Sequence, residues 1–207
     1  MPDYHIPLIT GKLYHVFSRA IGSEKLFPEN ENYRYFLQKM QQHLPPVCDI
    51  IAYCLLPNHF HLLVEIKDEK EIQTAFEFVK KGKEFHPDLI SDFVMERFSN
   101  WLNGYTKAFN KRNNRKGALF TNYLRRVEIL KDSQFTASLF YVHKNPVHHG
   151  LVGKIEEWPW SSYHEFISEI PSGPGEKTVL DWFGGREGFL EFHYQKIALK
   201  SDFELDF

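Results

Sequence analysis

Apolar residues cluster in four segments of the chain whose pattern predicts β-strands. The first segment, 11–20, is rich in strand-forming residues. Two further apolar runs, 47–56 and 59–66, flank the turn signal Pro57-Asn58, and this arrangement predicts a hairpin or a bent strand pair. A fourth strand is expected over 118–130.

Between and after these strands, apolar residues recur at the spacing of amphipathic helices. Pro45-Pro46 stops the first helix, because proline cannot continue a helical hydrogen-bond ladder. Asp132 is a plausible N-cap for the fourth helix, and Pro146 is expected to end or kink it. The predicted helices cover 29–44, 70–83, 93–110, 133–144 and 186–195.

The order strand, helix, two strands, helices, strand and helix is typical of an α+β domain. We expect a ferredoxin-like antiparallel sheet with helices packed on one face. The length of 207 residues fits one domain, with or without an appendage. Hydrophobic residues make up 43% of the chain, which argues against wholesale disorder.

The remaining bulk features favour a cytoplasmic protein. Cys48 and Cys54 are the only cysteines, and both fall on one predicted strand, so we expect reduced packing residues. The N-terminus lacks the basic start and apolar core of a signal peptide. No apolar run is long enough to cross a bilayer, so no membrane partner is expected.

The segment His59-Phe60-His61 carries the first candidate chemistry. Residues i and i+2 of a strand project from the same face, so both imidazoles would lie side by side and Phe60 would enter a core. Such a pair can hold a divalent metal, but it can also be a surface coincidence or a structural hydrogen-bonding pair. Two ligands do not complete a stable site.

The predicted helix over 133–144 brings a second candidate. Tyr141 and Asn145 are four residues apart and would share one helical face. They offer a phenolic oxygen and a carbonyl oxygen able to ligate a metal. The alternative is that Tyr141 is a core residue and Asn145 a C-terminal cap.

Charge is unevenly distributed although the net charge is only −2. No acidic residue lies between Phe98 and Val127, and aromatic residues interleave with the basic ones there. This pattern suits a phosphate backbone and unpaired bases. The alternative is a solvated surface balanced by acids elsewhere. The candidate DNA contacts are Lys107, Lys111, Arg112, Arg115, Lys116, Arg125 and Arg126.

Taken together, these motifs resemble the HUH-type single-tyrosine transposases, in particular the REP-associated tyrosine transposase branch. The resemblance covers the chain from about Leu13 to Tyr163. The segments that carry it are 56–64 (LPNHFHLLV), 105–110 (YTKAFN), 117–120 (GALF), 141–152 (YVHKNPVHHGLV) and 158–163 (WPWSSY).

The resemblance implies a role for each candidate residue. His59 and His61 would hold a divalent cation, and Asn145 would complete the metal site. Tyr141 would be the nucleophile that breaks a DNA strand and leaves a 5′-phosphotyrosyl link. Imidazole ligands alone favour Zn²⁺, whereas the resemblance implies Mg²⁺ or Mn²⁺. Tyr123 is the rival nucleophile, without an asparagine one helical turn later.

It also implies a catalytic domain over 1–165 with a C-terminal extension, 166–207, packed on it. The histidine pair is expected on a central strand. The expected substrate is single-stranded or hairpin DNA, and the expected assembly is a monomer or homodimer. Two alternatives stay open: a domesticated protein that binds hairpins without cleaving them, and a metal protein unrelated to DNA.

Overall fold

The computed structural model describes residues 4–121, 124–168 and 174–195. In these ranges four strands form one antiparallel sheet in the order β2-β3-β1-β4. This order, with β3 and β1 at the centre, confirms the predicted α+β fold and its ferredoxin-like sheet. The strands are β1 (Leu13–Arg19), β2 (Cys48–Leu56), β3 (His59–Ile66) and β4 (Arg125–Ile129).

Seven α-helices surround the sheet in the described part of the chain. Short 3₁₀ turns at Pro87–Leu89 and Ile155–Glu157 connect some of them. The helices are α1 (Asn30–His43), α2 (Glu69–Val79), α3 (Ile90–Arg112), α4 (Asp132–His148), α5 (Tyr163–Ile167), α6 (Pro174–Trp182) and α7 (Arg186–Tyr194).

One face of the sheet packs on α1 and α3 through aromatic side chains. Phe60 of β3 is fully buried, and its ring centroid lies 5.3 Å from that of Phe36 on α1 and 5.2 Å from that of Trp101 on α3. Phe60 therefore points away from the histidines that flank it, as the alternation of a strand predicts.

Phe60→Ala is expected to lower the free energy of unfolding by about 3–5 kcal/mol, because it removes a buried aromatic ring and leaves a cavity. Phe78→Ala is the matched control, since the Phe78 side chain is 79% exposed, and it should shift stability by at most about 0.5 kcal/mol. Urea unfolding of both variants checks this. Equal effects would contradict the packing described.

Helices also cover the opposite face, which the one-face prediction did not include. There α4 packs on β2 and β3, α6 packs beside it on β2, and α5 and α7 pack against α6. Leu139 and Val142 of α4 join Leu63 of β3 in one buried cluster, while Phe140 on the other side of α4 meets Phe192 of α7. The helix α4 is apolar around most of its circumference, so it is buried between two layers.

The helix α4 does not end at its proline. It continues through Pro146 to His148, and the N–H of His149 donates to the carbonyl of Asn145 at 3.0 Å. Gly150, at φ 65°, ends the helix, since glycine adopts the left-handed conformation without steric cost. Of the two outcomes predicted for Pro146, an end or a kink, the end is wrong, and Asn145 lies inside a helix rather than at its cap.

The start of α4 also differs by one residue. Lys131 is the N-cap and Asp132 the first helical residue. The side chain of Gln134 reaches back and accepts from the N–H of Lys131 at 3.1 Å. This one-sided cap from Gln134 takes the place of the predicted Asp132 cap.

The helix α6 approaches β2 closely at Gly175. A Cβ at this position would lie 2.1 Å from the carbonyl oxygen of Ile50, so only glycine fits. Through this contact residues 174–195 lie against the sheet and α4; residues 169–173 and 196–207 of the predicted extension fall outside the described residues.

Cys48 and Cys54 lie on β2, buried and without a disulfide bond, as predicted. Among the described helices, none combines the length and the apolar character needed to span a lipid bilayer.

Candidate active site

The histidine pair lies on the sheet face that α4 covers. His59 and His61 begin β3, which is a central strand, and their ring centroids are 5.2 Å apart. Directly opposite on β1 stand Arg19, paired with His59, and Phe17, paired with His61. Cross-strand partners share one face, so the four side chains form two adjacent rows.

Each histidine of the pair is held through its Nδ1 atom. Nδ1 of His59 lies 2.8 Å from Oδ1 of Asn58, which can only accept, so His59 carries its proton on Nδ1. Nδ1 of His61 lies 2.9 Å from Nε2 of His15 on β1. Nε2 of His61 is buried and has no hydrogen-bond partner in the ranges that the structure describes.

Burial keeps the imidazoles of His61 and His15 neutral. The pKa of His61 lies well below its ordinary value because of burial first, and then because of the neighbouring His15, His59 and His149. Burial alone lowers the pKa of His15 to about 3. A neutral imidazole keeps a lone pair, which is the form that binds a metal.

Tyr141 of α4 packs directly on this pair. Its ring centroid lies 5.4 Å from that of His61 and 6.0 Å from that of His15, and its side chain is 3% exposed. The contact is made within one chain, so Tyr141 faces its own histidines.

Asn145 lies one helical turn after Tyr141 and is fully buried. Both Oδ1 and Nδ2 of its amide lack a hydrogen-bond partner within the described part of the chain. A buried amide without partners is costly, and such groups in native proteins mark places that a ligand satisfies.

A third residue, His149, follows Tyr141 and Asn145 at the same four-residue spacing, at the C-terminal end of α4. Its ring lies 5.0 Å from that of His59. Because Tyr141 meets His61 at one end of this row of side chains and His149 meets His59 at the other, Asn145 between them faces the histidine pair. Sequence reasoning did not include His149, although its spacing from Tyr141 and Asn145 is the signal that finds it.

The donor set fits a divalent cation. Two imidazoles and one amide oxygen are available, and Nε2 of His61 and Oδ1 of Asn145 are orphaned atoms that a cation would satisfy. No cluster of three His, Cys, Asp or Glu side chains able to hold a metal occurs among the described residues. The third protein ligand would therefore be the Asn145 amide. Mg²⁺ or Mn²⁺ stays a prediction.

Two known proteins are similar to this chain, one in fold and one in sequence. The fold matches a solved structure described as a REP-associated tyrosine transposase bound to a REP hairpin, with a TM-score of 0.56 and 17% identity, over 84% of this chain and 93% of that one. A Haemophilus influenzae protein named as a REP-associated tyrosine transposase is 25% identical over 148 residues, which are 69% of this chain and 70% of the relative. The chain is therefore similar to a REP-associated tyrosine transposase in sequence and to another in fold. No protein-family model matches it.

A groove of about 770 Å³ opens beside His59. Arg19, Lys25, His148 and His149 line it, together with the apolar side chains of Leu56, Pro57 and Leu151. One acid, Glu24, also lines the groove, and it is paired with Arg115. Cationic and apolar lining together suit a nucleotide strand.

Two of the predicted DNA contacts, Arg115 and Arg126, donate hydrogen bonds within the protein. Arg126 is 8% exposed, and its guanidinium donates to the carbonyl oxygens of Ile6, His5 and Leu124. Arg115 donates to Glu24 at 2.9 Å and to the Ala118 carbonyl at 2.9 Å. Their placement favours structural roles, because these donors are used inside the protein.

The other predicted DNA contacts lie near the protein surface. Arg112 is exposed and pairs with Glu29 at 2.5 Å, so an acid from outside the acid-free stretch offsets part of its charge. Arg125 lies in the same cross-strand row as Phe17 and His61, and its guanidinium sits 5.4 Å from the Tyr4 ring centroid. The exposed lysines are Lys107, Lys111 and Lys116. The rival nucleophile Tyr123 lies outside the described residues.

Proposed function

We propose that this protein cleaves and rejoins single-stranded or hairpin DNA through a 5′-phosphotyrosyl link on Tyr141, assisted by Mg²⁺ or Mn²⁺ at His59, His61 and Asn145. One observation carries the proposal: the Tyr141 ring packs on His61 beside two orphaned ligand groups, Nε2 of His61 and the amide of Asn145.

The covalent step balances without an added reactant. The phenolic oxygen of Tyr141 attacks a backbone phosphorus, the bond from phosphorus to the 3′ oxygen breaks, and the phenol proton ends on the released 3′-hydroxyl. The link keeps the energy of the broken ester, so a second 3′-hydroxyl can reverse the step at another end. No nucleotide triphosphate is needed.

Residues of the chain itself position the nucleophile. A phenol with a pKa near 10 is a weak nucleophile at neutral pH, so its placement matters. The buried contacts with His15 and His61 fix the direction of the Tyr141 ring. When bound, a divalent cation would offset the charge that develops on the phosphate oxygens.

The position of the segment after α3, at the same end of the sheet as His59, supports DNA binding. The N–H of Ala20 donates to Asn58, and the N–H of Ile21 donates to Leu119. These bonds bring the segment after the basic α3 to the same end of the sheet as His59. The groove beside His59 opens at this end, where Arg19 and Lys25 of its lining would contact a DNA strand.

The proposal predicts a cation-dependent covalent adduct with one polarity. DNA hairpins with randomised single-stranded flanks are incubated with the protein and Mn²⁺, or with EDTA, and run on a denaturing gel. A 5′-phosphotyrosyl link retains the strand on the 3′ side of the break. The covalent band is therefore expected with a 3′-end label, whereas a 5′-end label should appear only as a shortened free strand.

Each other result counts against part of the proposal. Hairpin retention in a native gel with no covalent band in either cation condition would leave only the non-cleaving alternative. A covalent band with the 5′-end label would overturn the polarity. A band of equal strength in EDTA would overturn the cation.

A further inference from the structure

We propose that His15 is a positioning residue that holds His61 in the tautomer able to bind the cation. The inference rests on the proposed function, since it concerns the same cation site. His15 itself is not proposed as a ligand or a nucleophile.

The contact between the two rings is specific. His15 lies on β1, diagonal to His61 on β3, and Nε2 of His15 stands 2.9 Å from Nδ1 of His61. The two ring planes differ by 24°, so the bond lies close to the plane of both imidazoles. This is the geometry in which an N–H points at a nitrogen lone pair.

Whether His61 can bind a cation through Nε2 depends on which of its two ring nitrogens carries the proton. If Nε2 of His15 donated, His61 would carry its own proton on Nε2 and could not ligate through that atom. If Nδ1 of His61 donates, its Nε2 keeps a lone pair, and Nε2 is the orphaned atom of the site. Only this second arrangement serves a cation, and it matches the arrangement at His59, where Nδ1 is tied to Asn58.

His15 is packed among aromatic rings, and in this arrangement its own proton lies on Nδ1, which is buried and has no hydrogen-bond partner among the described residues. The His15 side chain is 1% exposed, and the Phe17 and Tyr141 rings lie 5.0 Å and 6.0 Å from it. A ligating histidine usually donates its second N–H to a carboxylate, a backbone carbonyl or water. Here the acceptor is a second neutral imidazole, which orients His61 without bringing a negative charge beside Tyr141.

The test compares two substitutions of His15 by Mn²⁺ binding, read from the electron paramagnetic resonance signal of free Mn²⁺. His15→Leu removes the acceptor and is expected to raise the dissociation constant for Mn²⁺ by about 10- to 100-fold. His15→Gln supplies an amide oxygen near the position of Nε2, and it is expected to restore most of the affinity. Nitrogen shifts of the His61 ring should report Nδ1–H in wild type and the Gln variant.

A control separates positioning from loss of stability. Val16→Ala lies next to His15 on β1 but is buried on the opposite face, and it should leave the Mn²⁺ dissociation constant unchanged. If His15→Leu binds Mn²⁺ as wild type does, the inference fails while the proposed function stands. If the Leu and Gln variants lose affinity equally, the hydrogen bond is not the cause. If wild type binds no Mn²⁺, both fail.

Discussion

Replacing Tyr141 with phenylalanine is expected to abolish covalent attachment of DNA while hairpin binding survives. Phenylalanine keeps the ring that packs on His61 and removes only the attacking oxygen. Loss of a nucleophile typically lowers turnover by at least about 10³-fold. The adduct is measured on denaturing gels with 3′-labelled hairpins, and binding is measured by fluorescence anisotropy.

Two matched tyrosine variants make this result specific. Tyr194→Phe changes a side chain that is 67% exposed on α7, and it should form the adduct at the wild-type rate. Tyr123→Phe tests the rival nucleophile and should also retain the adduct. An undiminished adduct in Tyr141→Phe, or its loss in Tyr123→Phe alone, would reassign the nucleophile.

Lowering the pH is expected to reduce the free energy of unfolding through protonation of His193 on α7. This side chain of α7 is 5% exposed; its Nδ1–H donates to the Phe189 carbonyl at 2.9 Å, and its Nε2 lies 2.9 Å from Nδ1 of His143. Burial lowers the pKa of His193 to about 4. The groups around it are His143 and Tyr163, and Lys144 and Glu156 line the same cleft.

The sign follows from the two protonation states. The unfolded chain binds a proton at His193 near pH 6.5, whereas the folded chain does so only near pH 4. The stabilising contribution is therefore present above pH 6.5 and is lost as the pH falls to about 4. Over this window His193 should account for about 3 kcal/mol of the lost free energy of unfolding.

Urea unfolding in steps between pH 7 and pH 4 measures this loss. His193→Gln keeps a hydrogen-bonding side chain that does not titrate, so its stability should fall less steeply with acid than that of wild type. Tyr194→Phe, which keeps every histidine, should follow wild type. Identical slopes in wild type and the Gln variant would contradict the role of His193.

The strands and the core around Phe60 could be predicted from the sequence. Alternation around Phe60 places it opposite its flanking histidines, and the turn at Pro57-Asn58 joins β2 to β3 as expected. Both features depend on local pattern. The four-residue spacing of Tyr141 and Asn145 likewise puts them on one face of α4.

What the sequence did not reveal depends on contacts between distant segments. His15 reaches His61 only because β1 pairs with β3, and nothing in its local pattern marks it. Continuation of α4 through Pro146 depends on tertiary packing, which overrides the bias of a residue before proline. The sequence indicated that Arg115 and Arg126 are surface charges. In the structure, Glu24 accepts a hydrogen bond from Arg115, and backbone carbonyls of other segments accept from Arg126.

The most direct test of the central claim is to identify the residue that carries DNA. Wild-type protein is trapped with hairpin DNA and Mn²⁺, digested with nuclease and protease, and mapped by mass spectrometry. A nucleotide 5′-phosphate on the peptide containing Tyr141 is the predicted result. A nucleotide on Tyr123 or on any other residue, or no modified peptide from DNA that has been cleaved, would contradict it.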